Sequence, residues 1–283
     1  MTSTPCANHP NRVASVICAH CDRPICTDCM LQARVGWQCP DCIAAGAKRT
    51  RVIRPFADRN RTGIVGSTNP TPVVIALIVV NVICFLASGG GKASVIDRLG
   101  GLSHHVHQSD EYYRFLTSMF LHLSILHIAS NMFSLLIVGP AVEVMLGKSR
   151  FLALYLLAGL GGSVASYLFA PADSVSAGAS GAIFGVMGAY VVLAHSRRQP
   201  LAPVVALIVI NLIIGFSGNI DWRDHLGGLV VGVLLAAAYD RVVNLRPSTR
   251  GLALTLGASV AVLVVLAILV KAIPPGHISL SFG

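Results

Sequence analysis

Two short stretches of this chain place a nucleophile and a base in apolar surroundings. Gly178-Ala179-Ser180-Gly181 opens one hydrophobic run, and Asp224-His225-Leu226-Gly227-Gly228 opens another. A serine hydroxyl attacks well only when a neighbouring imidazole takes its proton, and the same imidazole can later protonate a leaving amine. Ser180 and His225 are therefore candidates for a hydrolytic dyad. Ionisable groups inside membrane spans are costly, and they mark functional sites by default. His127 and Asn131 stand four residues apart, share one helical face and can aim donors at one small volume. Each residue alone has an ordinary explanation. Gly-Ala-Ser-Gly also reads as a helix N-cap, and a single histidine as a packed polar group; it is the combination that points to chemistry. The soluble nucleophile elbow does not apply, because Ala182 replaces its closing glycine and no strand pattern precedes Ser180. Asp224 adjoins His225, but adjacent helical residues point about 100° apart, so it is expected to face elsewhere.

The elements that must position these groups are membrane helices. The 283 residues are 54% hydrophobic and 12% charged, with mean hydropathy +0.71, which excludes an ordinary soluble domain. Apolar runs at 71–88, 118–140, 150–170, 179–196, 202–218, 220–241 and 251–271 predict seven spans and an all-α polytopic membrane protein. The sixth is the weakest by composition, since Asp221, Arg223 and Asp224 crowd its first turn. The polar, cysteine-rich first 70 residues do not read as a cleavable signal sequence.

Loop charge gives the expected orientation. With a cytoplasmic N-terminus, sixteen of the 21 Lys and Arg residues fall inside, leaving only Lys92, Arg98, Arg114, Arg223 and Lys271 outside. Topology thus accounts for the net charge of +9 better than nucleic-acid binding does. The second, fourth and sixth spans then run from outside to inside, which puts His127, Asn131, Ser180 and His225 in their outer halves. Counted from residue 118, His127 should lie about 13 Å into its span, deeper than Ser180 or His225. Gly181, Gly185 and Gly188 on the fourth span, and Gly228 and Gly232 on the sixth, allow the helices to approach closely. The same glycines would also serve plain bundle packing.

Residues 1–42 form a separate unit. Cys6-x2-His9, Cys18-x2-Cys21, Cys26-x2-Cys29 and Cys39-x2-Cys42 are four ligand pairs, enough for two tetrahedral zinc ions. A disulfide scaffold is disfavoured, because the charge bias puts this segment in the reducing cytoplasm. The spacing resembles B-box cross-braced fingers, a likeness that implies the first pair joins the third and the second joins the fourth. Sequential pairing is the rival, and spacing alone does not exclude it. His20 reads as a surface residue and Cys84 as apolar packing. A finger of this size suits a cytoplasmic protein partner or a folding role. Residues 43–70 read as a basic, flexible linker able to lie along an anionic leaflet.

The membrane part, about residues 71–243, resembles the rhomboid intramembrane serine proteases. The likeness rests on His122-x4-His127-x3-Asn131, Gly139-x3-Glu143-x3-Gly147, Gly178-Ala179-Ser180-Gly181 and His225-x-Gly227-Gly228-x3-Gly232. It implies a six-helix core, with the stretch 244–283 adding a seventh helix and a short outer tail. It also implies Ser180 as nucleophile, His225 as base, and an oxyanion hole from His127, Asn131 and the Ser180 N–H. Substrates would be single-pass membrane proteins reached through the lipid bilayer, at the plasma membrane. The chemistry would need no cofactor, and the zinc would be structural. Glu143 would be structural, bonding a neighbouring helix end or inner loop, and His122 would anchor a loop. Tyr113 stands before Arg114 where the family usually has tryptophan, and Phe184 stands where an aromatic often stacks on the histidine. His104, His105 and His107 could bind metal but read as a solvated surface. The rival readings are a silent rhomboid-like binding or quality-control factor, which retention of Ser180 and His225 opposes, and a transporter, which the lack of repeats and further intramembrane charges opposes.

Overall fold

The computed structural model describes residues 4–33, 36–49, 71–99, 111–171, 174–216, 220–243 and 249–273. The chain divides into two compact units, Met1–Arg61 and Thr62–Gly283. His104, His105 and His107, residues 50–70 and the outer tail lie outside the described residues.

The first unit is built on two short antiparallel ribbons. Strands β1 (Val16–Ile17) and β2 (Pro24–Ile25) pair, as do β3 (Leu31–Gln32) and β4 (Trp37–Gln38), and helix α1 (Pro40–Arg49) follows. Its core is nearly all ligand side chains, with Cys6, Cys18, Cys26, Cys29 and Cys39 buried around Ile25. Residues 43–49, expected as the start of the linker, are instead helical. The turn begun at Pro40 places Cys42 in its first turn and simply continues.

The second unit is helical among its described residues. It contains α2 (Pro72–Ala87), α3 (Ala93–Leu99), α4 (Arg114–Thr117), α5 (Ile125–Leu146), α6 (Lys148–Phe169), α7 (Ser180–Ser196), α8 (Ala202–Phe216), α9 (Trp222–Val243) and α10 (Thr249–Ala272). Helix α7 lies at the centre, packed against α5, α6, α8 and α9. The core around it is large, with Tyr155, Tyr190 and Tyr239 fully buried.

Seven spans were expected, and by length and apolarity α5, α6 and Ala253–Ala272 of α10 are long enough to cross a membrane. Helices α2, α7 and α8 are apolar but shorter, at 16, 17 and 15 residues. For α7 the reason is visible in its burial: its side chains are surrounded by other helices, so lipid thickness does not dictate its length. Helix α9 has the length, but Asp224 and Arg241 near its ends lower its apolarity.

The largest departure from expectation concerns the second span. It runs over Ile125–Leu146 rather than 118–140, because Ser118–Phe120 forms a separate 3-10 turn and the Ser124 hydroxyl then caps the helix by accepting from the His127 N–H. His127 therefore sits in the first turn, not about 13 Å along. It thus stands in the first turn of its helix, as do Ser180, the first residue of α7, and His225 in α9.

The Gly139-x3-Glu143-x3-Gly147 run explains how α5 is held. A Cβ on Gly139 would come within 2.8 Å of Val74, so glycine lets α2 pack close. Glu143 is buried, and its two carboxylate oxygens accept from the N–H groups of Val73 (3.2 Å) and Val74 (2.9 Å). The carboxylate thus satisfies the open N-terminus of α2 and faces its positive dipole end. This is the helix-end partner expected for Glu143. Gly147, at φ +82°, makes the one-residue turn into α6. Polar contacts to helix α10 include Arg150 to Thr255 (3.3 Å) and Tyr239 to Ser259 (2.7 Å).

Replacing Glu143 by Leu should leave the buried Val74 N–H and the partly buried Val73 N–H without acceptors and cost about 1–3 kcal/mol for the first and less for the second. Glu143→Gln, which keeps one acceptor oxygen, should lose less. Thermal unfolding of the two variants in lipid discs measures this, and equal melting temperatures for wild type and Glu143→Leu would disprove it.

Candidate active site and metal centres

The helices that carry Ser180 and His225 touch backbone to backbone. A Cβ on Gly228 would lie 1.9 Å from the Gly181 carbonyl oxygen, and one on Gly232 would lie 2.1 Å from that of Gly185. The α7–α9 crossing therefore has no room for a methyl group at either point. One turn after Ser180, the Phe184 ring lies flat on His225, with centroids 4.1 Å apart and planes 10° from parallel. His225 is buried, and its Nδ1 has no hydrogen-bond partner among the described residues. That nitrogen faces Gly215 of α8, 3.9 Å from where a Cβ would stand. The imidazole is thus oriented by stacking, with no acid bonded at Nδ1.

Ser180 is half-buried and is the first residue of α7. The N-cap reading is not what the backbone adopts, since Ala179 takes the cap position and makes no side-chain cap bond. The preceding loop is pinned where the Gly178 N–H donates to the Ser118 carbonyl (3.0 Å). Gly178 has φ +141°, and a Cβ there would lie 2.8 Å from the His127 ring and 3.7 Å from Ser180 Oγ. His127 and Ser180 therefore flank the same small space over Gly178. His122, completely buried, meets His127 edge to face at 5.1 Å. Asn131, also buried, donates from Nδ2 to the His127 carbonyl (3.1 Å) one turn back. Arg114 is buried and donates to Glu111 and to the Asp97 carbonyl, which ties the start of α4 to α3 beside exposed Tyr113.

Asp224 corrects an expectation. It does not face away from the site: the Ser180 hydroxyl donates to its Oδ2 at 3.1 Å. Adjacent residues on α9 do diverge, but α9 lies so close to α7 that one side reaches Phe184 and the other reaches Ser180. The signal in the sequence was a pair of glycines. A Cβ on Gly162 of α6 or on Gly181 would come within 2.4 Å or 2.6 Å of the Asp224 carboxyl.

These helices and motifs define a class of membrane protein. Residues 109–242 match the rhomboid domain, residues 1–33 match the B-box zinc finger, and the chain belongs to the rhomboid family. It is 39% identical over 180 residues to rhomboid protease GluP of Bacillus subtilis, covering 61% of this chain and 35% of that protein. With RHOMBOID-like protein 6, mitochondrial, of Arabidopsis thaliana it shares 38% over 154 residues, 52% of this chain and 50% of the relative. With the rhomboid-family protein YdcA of Bacillus subtilis it shares 32% over 174 residues, 58% of this chain and 87% of the relative. The chain thus spans half or less of the first two relatives and most of the third.

In the N-terminal unit the four ligand pairs gather into two sets, Cys6, His9, Cys26 and Cys29, and Cys18, Cys21, Cys39 and Cys42. This is the cross-braced pairing, first with third and second with fourth. Within each set the ligand atoms lie within 4.8 Å of one another. Tetrahedral zinc with thiolates at about 2.3 Å requires sulfur atoms about 3.8 Å apart. The separations are 3.9 Å for Cys6–Cys29 and 3.8 Å for Cys21–Cys39, while His9 Nδ1 lies 3.5 Å from Cys26 and 3.2 Å from Cys29. Charge also fits a cation. Burial, with Cys26 and Cys6 beside it, pushes the Cys29 thiol up to about 11, and Cys39 and Cys21 push Cys42 up to about 12. A divalent ion supplies the charge that lets such crowded thiols ionise together. Outside the second set, Arg23 bonds Cys21 (3.3 Å), which lowers that thiol, and the Cys39 N–H donates to Cys18 (3.2 Å). His20 is exposed and belongs to neither set. The Cys39–Cys42 pair lies beyond the matched B-box stretch, so its place in the second set rests on geometry.

Metal analysis of the full chain should give about two zinc ions, and Cys6→Ser combined with Cys26→Ser should leave about one. Sequential pairing would put those two residues in different sites and damage both, so a near-total loss from this double variant would refute the cross-brace.

Proposed function

We propose that this protein is an intramembrane serine endopeptidase that cleaves transmembrane proteins in or near their spans. The observation that supports the reading is the α7–α9 crossing, where His225 stacks on Phe184, itself one turn after Ser180, and the two helices are in backbone contact. In this reading the Ser180 hydroxyl attacks the scissile carbonyl and passes its proton to His225 through Nε2, the ring nitrogen not turned to Gly215. The Ser180 N–H, free at the start of α7, and side-chain donors from His127 and Asn131 hold the developing oxyanion. For Asn131 this requires the N–H that is not spent on the His127 carbonyl. His225 then protonates the leaving amine, and water releases the acyl group.

The same reading includes seven membrane crossings, with the N-terminus and the finger in the cytoplasm. The loop-charge asymmetry supports that orientation. His127, Ser180 and His225 all lie at N-terminal helix ends, so the site opens to the outer face of the plasma membrane, where water can reach it while single-pass substrates enter through lipid. The two zinc ions hold the finger's fold and take no part in the chemistry.

The test is cleavage of a single-span substrate in liposomes. Ser180→Ala and His225→Ala should each lower kcat by at least about 10³-fold. His127→Ala and Asn131→Ala should each lower it by about 10²–10³-fold, as expected for the loss of one oxyanion donor. Equal cleavage by wild type and Ser180→Ala would overturn the proposal, whereas substrate binding without cleavage by wild type would favour the silent rhomboid-like reading.

A further inference from the structure

The Ser180 hydroxyl is bonded to a group that the dyad does not use. It donates to Asp224 Oδ2 at 3.1 Å, while the neighbouring His225 is held by Phe184 on another side of α9. Asp224 is itself buried, at 7% exposure. Its carboxyl fills a slot left open by Gly162 on α6 and Gly181 on α7. The start of α9 is fixed as well, because Asp221 Oδ1 accepts from the N–H groups of Arg223 (3.2 Å) and Asp224 (3.3 Å). The carboxyl therefore has little freedom to follow the serine when it turns.

A hydroxyl hydrogen can be given to one acceptor at a time. To be activated by His225, Ser180 must release Asp224, and breaking a buried hydrogen bond has a cost. We infer that Asp224 is a positioning residue that holds the Ser180 hydroxyl in a resting orientation and so restrains its reactivity until the hydroxyl turns to His225. This rests on the reading of Ser180 as the nucleophile. The restraint acts on the hydroxyl and not on the substrate, since Asp224 lies behind the serine among helix backbones. It should therefore appear in kcat and leave KM unchanged.

The probe is a fluorophosphonate, which labels an activated serine without needing a transmembrane substrate. Full-length wild type, Asp224→Asn, Asp224→Ala, Gly162→Ala and Ser180→Ala would be compared in liposomes. Asp224→Asn keeps one acceptor oxygen and puts an NH2, which cannot accept, in place of the other, and should label severalfold faster than wild type. Asp224→Ala removes the acceptor and should label about tenfold faster or more. Gly162→Ala, whose methyl would press on the Asp224 carboxyl and on its backbone carbonyl, should also accelerate labelling while leaving the residue at 224 unchanged. Ser180→Ala should not label. Peptidase kinetics on the faster variants should show raised kcat at constant KM. Equal or slower labelling of the folded Asp224 and Gly162 variants, alongside a labelled wild type, would overturn this inference and leave the protease reading standing. No labelling of wild type or any variant would overturn the nucleophile assignment, and the inference with it.

Discussion

The membrane unit depends on one steric fact: α7 and α9 cross with their backbones touching. Gly181 against Gly228 and Gly185 against Gly232 leave no space for a side chain, so the two helices are set at the smallest separation that the polypeptide allows. In lipid there is little hydrophobic drive to bring helices together, and close van der Waals contact has to do that work. Everything at the candidate site follows from this approach. Phe184 can lie flat on His225, Asp224 can reach Ser180, and the third helix of the crossing, α6, contributes Gly162 to the slot that takes the Asp224 carboxyl.

Around that crossing the remaining elements act as braces. Glu143 ties α2 to α5 through two N–H groups, Gly178 carries the loop past the His127 ring, and Arg114 ties the start of α4 to the Asp97 carbonyl of α3. Each is a polar or glycine position that an apolar bundle could do without if packing were its only task. The N-terminal unit solves a different problem by different means. It is too small for a hydrophobic core, and its buried residues are largely metal-binding side chains.

Much of this was legible in the sequence because the signals were local. Ligand pairs separated by two residues, apolar runs, and glycines at four-residue spacing report on neighbours along a helix or turn, which spacing encodes. The second span was misplaced because apolarity does not record where a helix starts. Met119, Phe120 and Leu121 extend the apolar run, yet the chain there forms a 3-10 turn and the helix waits for the Ser124 cap. Asp224 was missed for a related reason. Helical geometry says which way a residue points from its own axis, but the identity of what it meets depends on how near the next helix comes. That distance was set by glycines on three separate segments.

The cross-braced finger has a consequence in the order of its assembly. Each metal set takes ligands from two pairs separated by a pair belonging to the other set, so the two loops that close are interleaved along the chain. No contiguous fragment can complete one centre without carrying part of the other. Binding at either centre shortens the loop that the other must close, which lowers the entropy the second ion has to overcome. The two ions are therefore coupled through chain connectivity: each eases the closure of the other's loop, while either centre keeps its own four ligands.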